Sequence, residues 1–64
     1  MRWQDYIEER PEVLAGKPVF EGTRLAVQMI LEDRAAGATE PELLKSYPTL
    51  RPEHLRAADQ YAAR

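Results

Sequence analysis

The chain has no cysteine, a single histidine and no long apolar run. Without cysteine it forms neither a disulfide nor a thiolate-based metal site. One histidine builds a zinc site only with several carboxylates beside it. No apolar stretch approaches the ~18 residues of a membrane span, and no signal-peptide pattern opens the chain. A cytoplasmic location with no membrane contact is therefore expected. Positive charge is not in excess: nine Lys and Arg stand against eleven Asp and Glu, a net charge of −2. That balance speaks against a strong nucleic-acid binder. Length is also short. With 64 residues there is room for one domain, 1–64, which buries only about 60% of its unfolded surface. Self-association is then a natural route to more buried area. Apolar residues at 44% and charged residues at 31% nevertheless exclude a disordered chain.

The stretch from Gly16 to Val27 organises the rest. Val19 and Phe20 suit a pleated surface, as do Thr23 and Val27. Gly22 can adopt the positive φ of a tight reversal, centred on either Glu21-Gly22 or Gly22-Thr23. Pro18 has no N–H, so it starts a strand or lies on an edge. Gly16-Lys17 does not make a phosphate loop, because a Walker motif needs Lys followed by Ser or Thr and here Pro18 follows. Upstream, Trp3, Tyr6 and Ile7 suit a turn or two of helix, and Tyr6-Ile7 equally a strand. Arg10-Pro11-Glu12 reads as a turn leading to an extended Val13-Leu14. A lone hairpin is marginal in water, so the exposed edge of residues 1–26 predicts a dimerisation arm and a homodimer.

Residues 27–64 read as a tri-helical unit. The first helix is expected from about Ala26 to Ala36, with Val27, Ile30, Leu31 and Ala35 on one face and Gly37 as a left-handed stop. The second opens on a capping box, Thr39 with Glu42, and tolerates Pro41 in its first turn. Leu43, Leu44 and Tyr47 face inward, and Pro48 ends the helix. Leu50 tucks inward after it. The third helix opens at Pro52-Glu53, with His54, Leu55, Ala58, Tyr61 and Ala62 as candidates for its buried side. The fold class expected is mainly α with a small N-terminal β-hairpin, a three-helix, helix-turn-helix-like bundle.

The string G-K-P-V-F-E-G-T-R-L-A-V resembles the core motif of the domain of unknown function 433 family, small bacterial and archaeal proteins with a "GKP-apolar-x-GTR-apolar-x-V" signature. Gly37-Ala38-Thr39, Glu42-Leu43-Leu44, Tyr47-Pro48-Thr49-Leu50, Ala57-Ala58 and Tyr61-Ala62 fit in the expected order, so the resemblance covers most of the chain from Trp3 onward. It implies a strand near Tyr6-Ile7 that pairs with the hairpin. It also implies a helix-turn-helix domain of antitoxin type, paired with a PIN-like nuclease toxin. The chain departs from the family where Arg51 replaces a usual Thr. Arg51 cannot accept the N–H bonds of a cap, which weakens the start of the third helix or moves its cap to Thr49.

Two sets of candidate residues follow. Residues 45–64 hold Lys45, Arg51, Arg56 and Arg64 against Glu53 and Asp59, a local positive excess. Arg56, Gln60 and Arg64 share a polar face of the third helix. Arg can grip guanine or phosphate and Gln can read adenine, so Lys45, Arg51, Arg56, Gln60 and Arg64 are the candidate contacts to operator DNA. A solvated face with a Glu53–Arg56 surface pair is the alternative. Trp3, Tyr6, Ile7, Val19, Phe20 and Arg24 are the candidate dimer or partner residues, or else, for the aromatics, the small core. Thr23 can bond the turn backbone, and Arg24 can pair with a carboxylate across a dimer. His54 reads as a hydrogen-bonded structural histidine, with no nucleophile signalled beside it. Glu8, Glu9 and Glu12 lack a fixed ligand spacing. No enzyme, metal or cofactor is expected.

Overall fold

A computed structural model describes all of residues 1–64. The chain is mainly helical with a small N-terminal antiparallel sheet. A 3-10 turn at Trp3–Asp5 leads into β1 (Ile7–Glu8), and a second one at Leu14–Gly16 precedes β2 (Val19–Phe20). Three helices follow: α1 (Val27–Ala35), α2 (Glu40–Ser46) and α3 (Pro52–Ala63).

β1 pairs with β2 in the register Ile7↔Phe20 and Glu8↔Val19. The return segment after the Gly22 turn makes a single bridge on the other side of β2, Val19↔Ala26. Val27 N–H donates to the Pro18 carbonyl at 3.0 Å and Phe20 N–H to that of Leu25 at 3.1 Å. β2 is thus the middle of the sheet, and its main partner is the distant β1. The turn is centred on Glu21-Gly22: Thr23 N–H donates to the Phe20 carbonyl at 3.0 Å, and Gly22 takes φ 74°. Positive φ at the third turn position carries no steric cost for glycine. The Thr23 hydroxyl donates to the Phe20 carbonyl at 2.8 Å and accepts Leu25 N–H at 3.0 Å.

Two expectations for the N-terminal third need correction. Val13 is extended, but Leu14 is not: Leu14, Ala15 and Gly16 are all left-handed, with φ of 49°, 55° and 83°. The first two are strained positions for residues carrying a Cβ. Residues 1–26 also do not project as an arm. Ile7 and Phe20 belong to the same core as Val27, Ile30, Leu43, Leu50, Leu55, Ala57 and Ala58, and β1 is only two residues long. An edge that short offers little to pair with another copy.

The helices keep their expected punctuation. α1 ends in a Schellman motif: Gly37 takes φ 105°, its N–H donates to the Arg34 carbonyl, and Ala38 N–H reaches that of Asp33, both at 3.0 Å. Val27 and Ile30 are buried as expected, Leu31 is half-buried, and Ala35 is exposed. α2 starts on the full capping box, with Thr39 N–H on Glu42 Oε1 at 2.8 Å and Glu42 N–H on Thr39 Oγ1 at 3.4 Å. α3 lies at the centre and packs against α1, α2 and the N-terminal segment. It buries His54, Leu55, Ala57 and Ala58; Tyr61 is half-buried, and Ala62 faces solvent. Two side-chain links tie the bundle: Tyr47 donates to Asp33 at 2.9 Å, and Arg34 to Asp59 at 3.2 Å.

Candidate functional site

The start of α3 is held by an arrangement that no local pattern signals. Arg51, at the N-cap position, makes no side-chain cap. Instead its backbone N–H donates to Nδ1 of His54 at 3.0 Å. His54 therefore takes the place that Glu or Gln fills in a capping box. A ring nitrogen that accepts an N–H carries no proton, so the proton of neutral His54 sits on Nε2. That nitrogen lies 3.4 Å from Oε1 of Glu21, in the Gly22 turn. The same oxygen accepts from the Arg51 guanidinium at 2.6 Å, and the other side of that guanidinium lies 3.9 Å from Glu53. The His54 ring is 1% exposed, tilted against Phe20 at 5.3 Å between centroids and edge-on to Tyr6 at 6.3 Å. Hairpin turn and helix start are thereby one assembly. The structural reading of His54 stands. Thr49 makes no side-chain hydrogen bond, so the cap does not move there.

The five candidate DNA contacts divide into two groups. Lys45 in the last turn of α2, and Arg56 and Gln60 on α3, are exposed, and their side chains form no hydrogen bond or ion pair within the chain. Arg51 is held by Glu21. Arg64 folds back, with its guanidinium 3.8 Å above the Tyr61 ring and Nη1 donating to the Tyr61 carbonyl at 2.7 Å. Asp59, exposed on the same helix, is paired with Arg34.

The second candidate set is largely internal. Val19 and Phe20 are fully buried and Ile7 nearly so, so these three are core residues and not a partner surface. Apolar burial of this kind offsets the small size of the chain. Trp3 and Tyr6 are half-buried on the core, with the Trp3 indole edge-on to Tyr61 of α3 at 5.1 Å. Only Arg24 stands free. Sequence reasoning missed Glu21, whose partners lie 30 and 33 positions away.

Two titrating groups are displaced, each by hydrogen bonds to one residue. The backbone and hydroxyl of Thr39 hold the Glu42 carboxyl below its usual range, and the bond to Asp33 raises the Tyr47 phenol. Neither lies at the α3 face. No helix is long and apolar enough to cross a membrane.

The sequence matches the family described as "Protein of unknown function (DUF433)" over residues 7–62. The chain belongs to the DUF433 family. A crystal structure of a DUF433 member protein from Anabaena variabilis superposes with a TM-score of 0.83 at 38% identity, covering 91% of this chain and 57% of that one. The uncharacterized protein y4eO of Sinorhizobium fredii is 34% identical over 59 residues, which are 92% of this chain and 27% of y4eO. The chain thus spans about a quarter of the length of that relative. The core motif of this DUF433 chain has a structural account: Gly22 makes the turn, Thr23 locks it, and Val19 and Phe20 fill the core.

Proposed function

We propose that this chain is a DNA-binding module of antitoxin type, in which α3 reads operator DNA and a homodimer represses its own operon. One observation carries the reading. The side chains of Lys45, Arg56 and Gln60 stand exposed and unpartnered on two successive helices joined by a short turn, and in this reading α3 is the recognition helix. In that role Arg56 and Gln60 contact base edges or phosphates and Lys45 a phosphate. Two-fold symmetry would place the α3 helices about 34 Å apart on a palindromic site. The family resemblance adds a PIN-like nuclease as the partner to be neutralised. Since Ile7, Val19 and Phe20 are used by the core, the dimer in this reading uses other surface.

A second reading is a protein-interaction module without DNA. It is favoured by the charge pattern of α3, where Glu53 and Asp59 offset Arg56, and by the capture of Arg51 by Glu21.

Fluorescence anisotropy on the chain's own upstream DNA, against a scrambled duplex across a salt series, separates the two. The DNA reading expects selective binding that weakens steeply with salt, by about one log–log unit per phosphate contacted. Arg56→Ala should then cost about 1–3 kcal/mol. Absence of selective binding at low salt sinks it and leaves the interaction module.

A further inference from the structure

Arg51 is the one cation in the connection between α2 and α3, and its guanidinium is already occupied. Oε1 of Glu21 accepts from Nη2 of Arg51 at 2.6 Å and lies 3.4 Å from Nε2 of His54. A guanidinium and the N–H of a ring that is 1% exposed thus converge on one oxygen. Charged and polar donors converging in this way suit an oxyanion. Here the chain supplies the oxyanion itself, from a turn 30 positions upstream.

The Arg51–Glu21 contact is exchangeable. Both side chains reach water, and pairs so exposed hold weakly because solvent screens them. Glu53 adds little, since its carboxylate is 3.9 Å from Nη1 of Arg51. A lone carboxylate from another protein would replace like with like, against a Glu21 that is tethered and always at hand. A DNA duplex brings one negative charge per about 1.7 Å of its axis, and counterion release favours each phosphate that a cation neutralises. A polyanion of that charge density therefore has an advantage over the internal carboxylate that a single carboxylate lacks.

We propose that Glu21 masks Arg51, and that a backbone phosphate takes over the guanidinium when α3 meets a DNA duplex. Arg51 is then a conditional phosphate contact, and Glu21 an autoinhibitory residue that lowers the affinity of this face. The mask rests on the DNA reading and adds to it a contact that Lys45, Arg56 and Gln60 do not supply. The backbone N–H of Arg51 keeps its bond to Nδ1 of His54 through the exchange, so the start of α3 stays held.

The test is a double-mutant cycle of Glu21→Gln and Arg51→Ala, read by anisotropy on the chain's own upstream duplex across a salt series, with Arg56→Ala beside it. Gln keeps an acceptor oxygen and removes the charge; 1H–15N correlation spectra check that each variant is folded. Arg51→Ala should weaken binding and flatten the log–log salt slope by about 0.9. Glu21→Gln should tighten binding about two- to fivefold, and this gain should shrink when Arg51 is already Ala. In the unaltered chain, which needs no substitution to fold, the Nε–Hε signal of Arg51 should move as duplex is added. An equal gain from Glu21→Gln with and without Arg51 reports only the loss of a charge and overturns the mask. Binding that Arg56→Ala weakens and Arg51→Ala leaves unchanged overturns the mask and spares the DNA reading. An Arg51 signal that moves as far with hexaglutamate as with duplex gives the guanidinium to acidic partners and also overturns it. If the duplex binds neither the chain nor Glu21→Gln at low salt, the DNA reading and the mask fall together.

Discussion

Glu21 and His54 lie 33 positions apart, yet Oε1 of one is 3.4 Å from Nε2 of the other. Through this contact, and the bond from Arg51 N–H to His54 Nδ1, the hairpin turn fixes the first turn of α3. A buried imidazole thus joins the hairpin turn to the start of the helix that carries Arg56 and Gln60.

Replacing that imidazole separates its packing from its bonding. His54→Leu keeps an apolar filling beside Phe20 but leaves the Arg51 N–H without its acceptor, at a cost of about 1–3 kcal/mol. His54→Gln retains an acceptor in the capping-box position and should lose less. Urea unfolding of the two variants gives the order. Equal losses would show that the acceptor contributes nothing.

The Arg51–Glu21 ion pair is short but half-exposed, with side chains 54% and 33% accessible. Solvent screens such pairs, so a double-mutant cycle of Arg51→Ala and Glu21→Gln should return a coupling of only about 0.2–1 kcal/mol. Added salt should shrink it.

The left-handed positions predict opposite responses to glycine. Gly22 sits at φ 74° with open space where a Cβ would stand. Gly22→Ala should therefore cost about 1–2 kcal/mol from backbone conformation alone. Ala15, at φ 55°, already bears that strain, so Ala15→Gly should leave the thermal midpoint unchanged or raise it.

Two displaced titrations bear on the pH response at the two ends of α2. Glu42 has its carboxyl pKa lowered in the fold, first by the Thr39 backbone N–H and then by its hydroxyl. Its contribution is present above the ordinary carboxylate range and is lost as pH falls through the lowered value. The Tyr47 phenol is raised by its bond to Asp33. Its contribution is present below the ordinary phenol range and is lost as pH rises through the raised value. Thermal midpoints between acid and alkaline pH should fall at both ends. Glu42→Gln should flatten the acid limb, and Tyr47→Phe the alkaline one.

The elements legible in the sequence share one property: their partners are near neighbours. The Thr39–Glu42 capping box, the Gly37 stop, the Gly22 reversal locked by Thr23 and the end of α2 at Tyr47-Pro48 each close within three to five residues. For such features residue type alone selects the backbone conformation. Tertiary structure decided the rest. β2 took Ile7–Glu8 as its main partner and left the return segment one bridge. Ile7, Val19 and Phe20 went to the core because a chain this small must commit most of its large apolar side chains there. Arg51 and Arg56 look alike in the sequence, but Glu21 reaches only Arg51 and leaves Arg56 free. Residue types and local spacing thus determined where the chain turns and where its helices begin. Which charges remain available on its surface was decided by carboxylates and rings brought together from thirty positions away, a proximity that only the packed core creates.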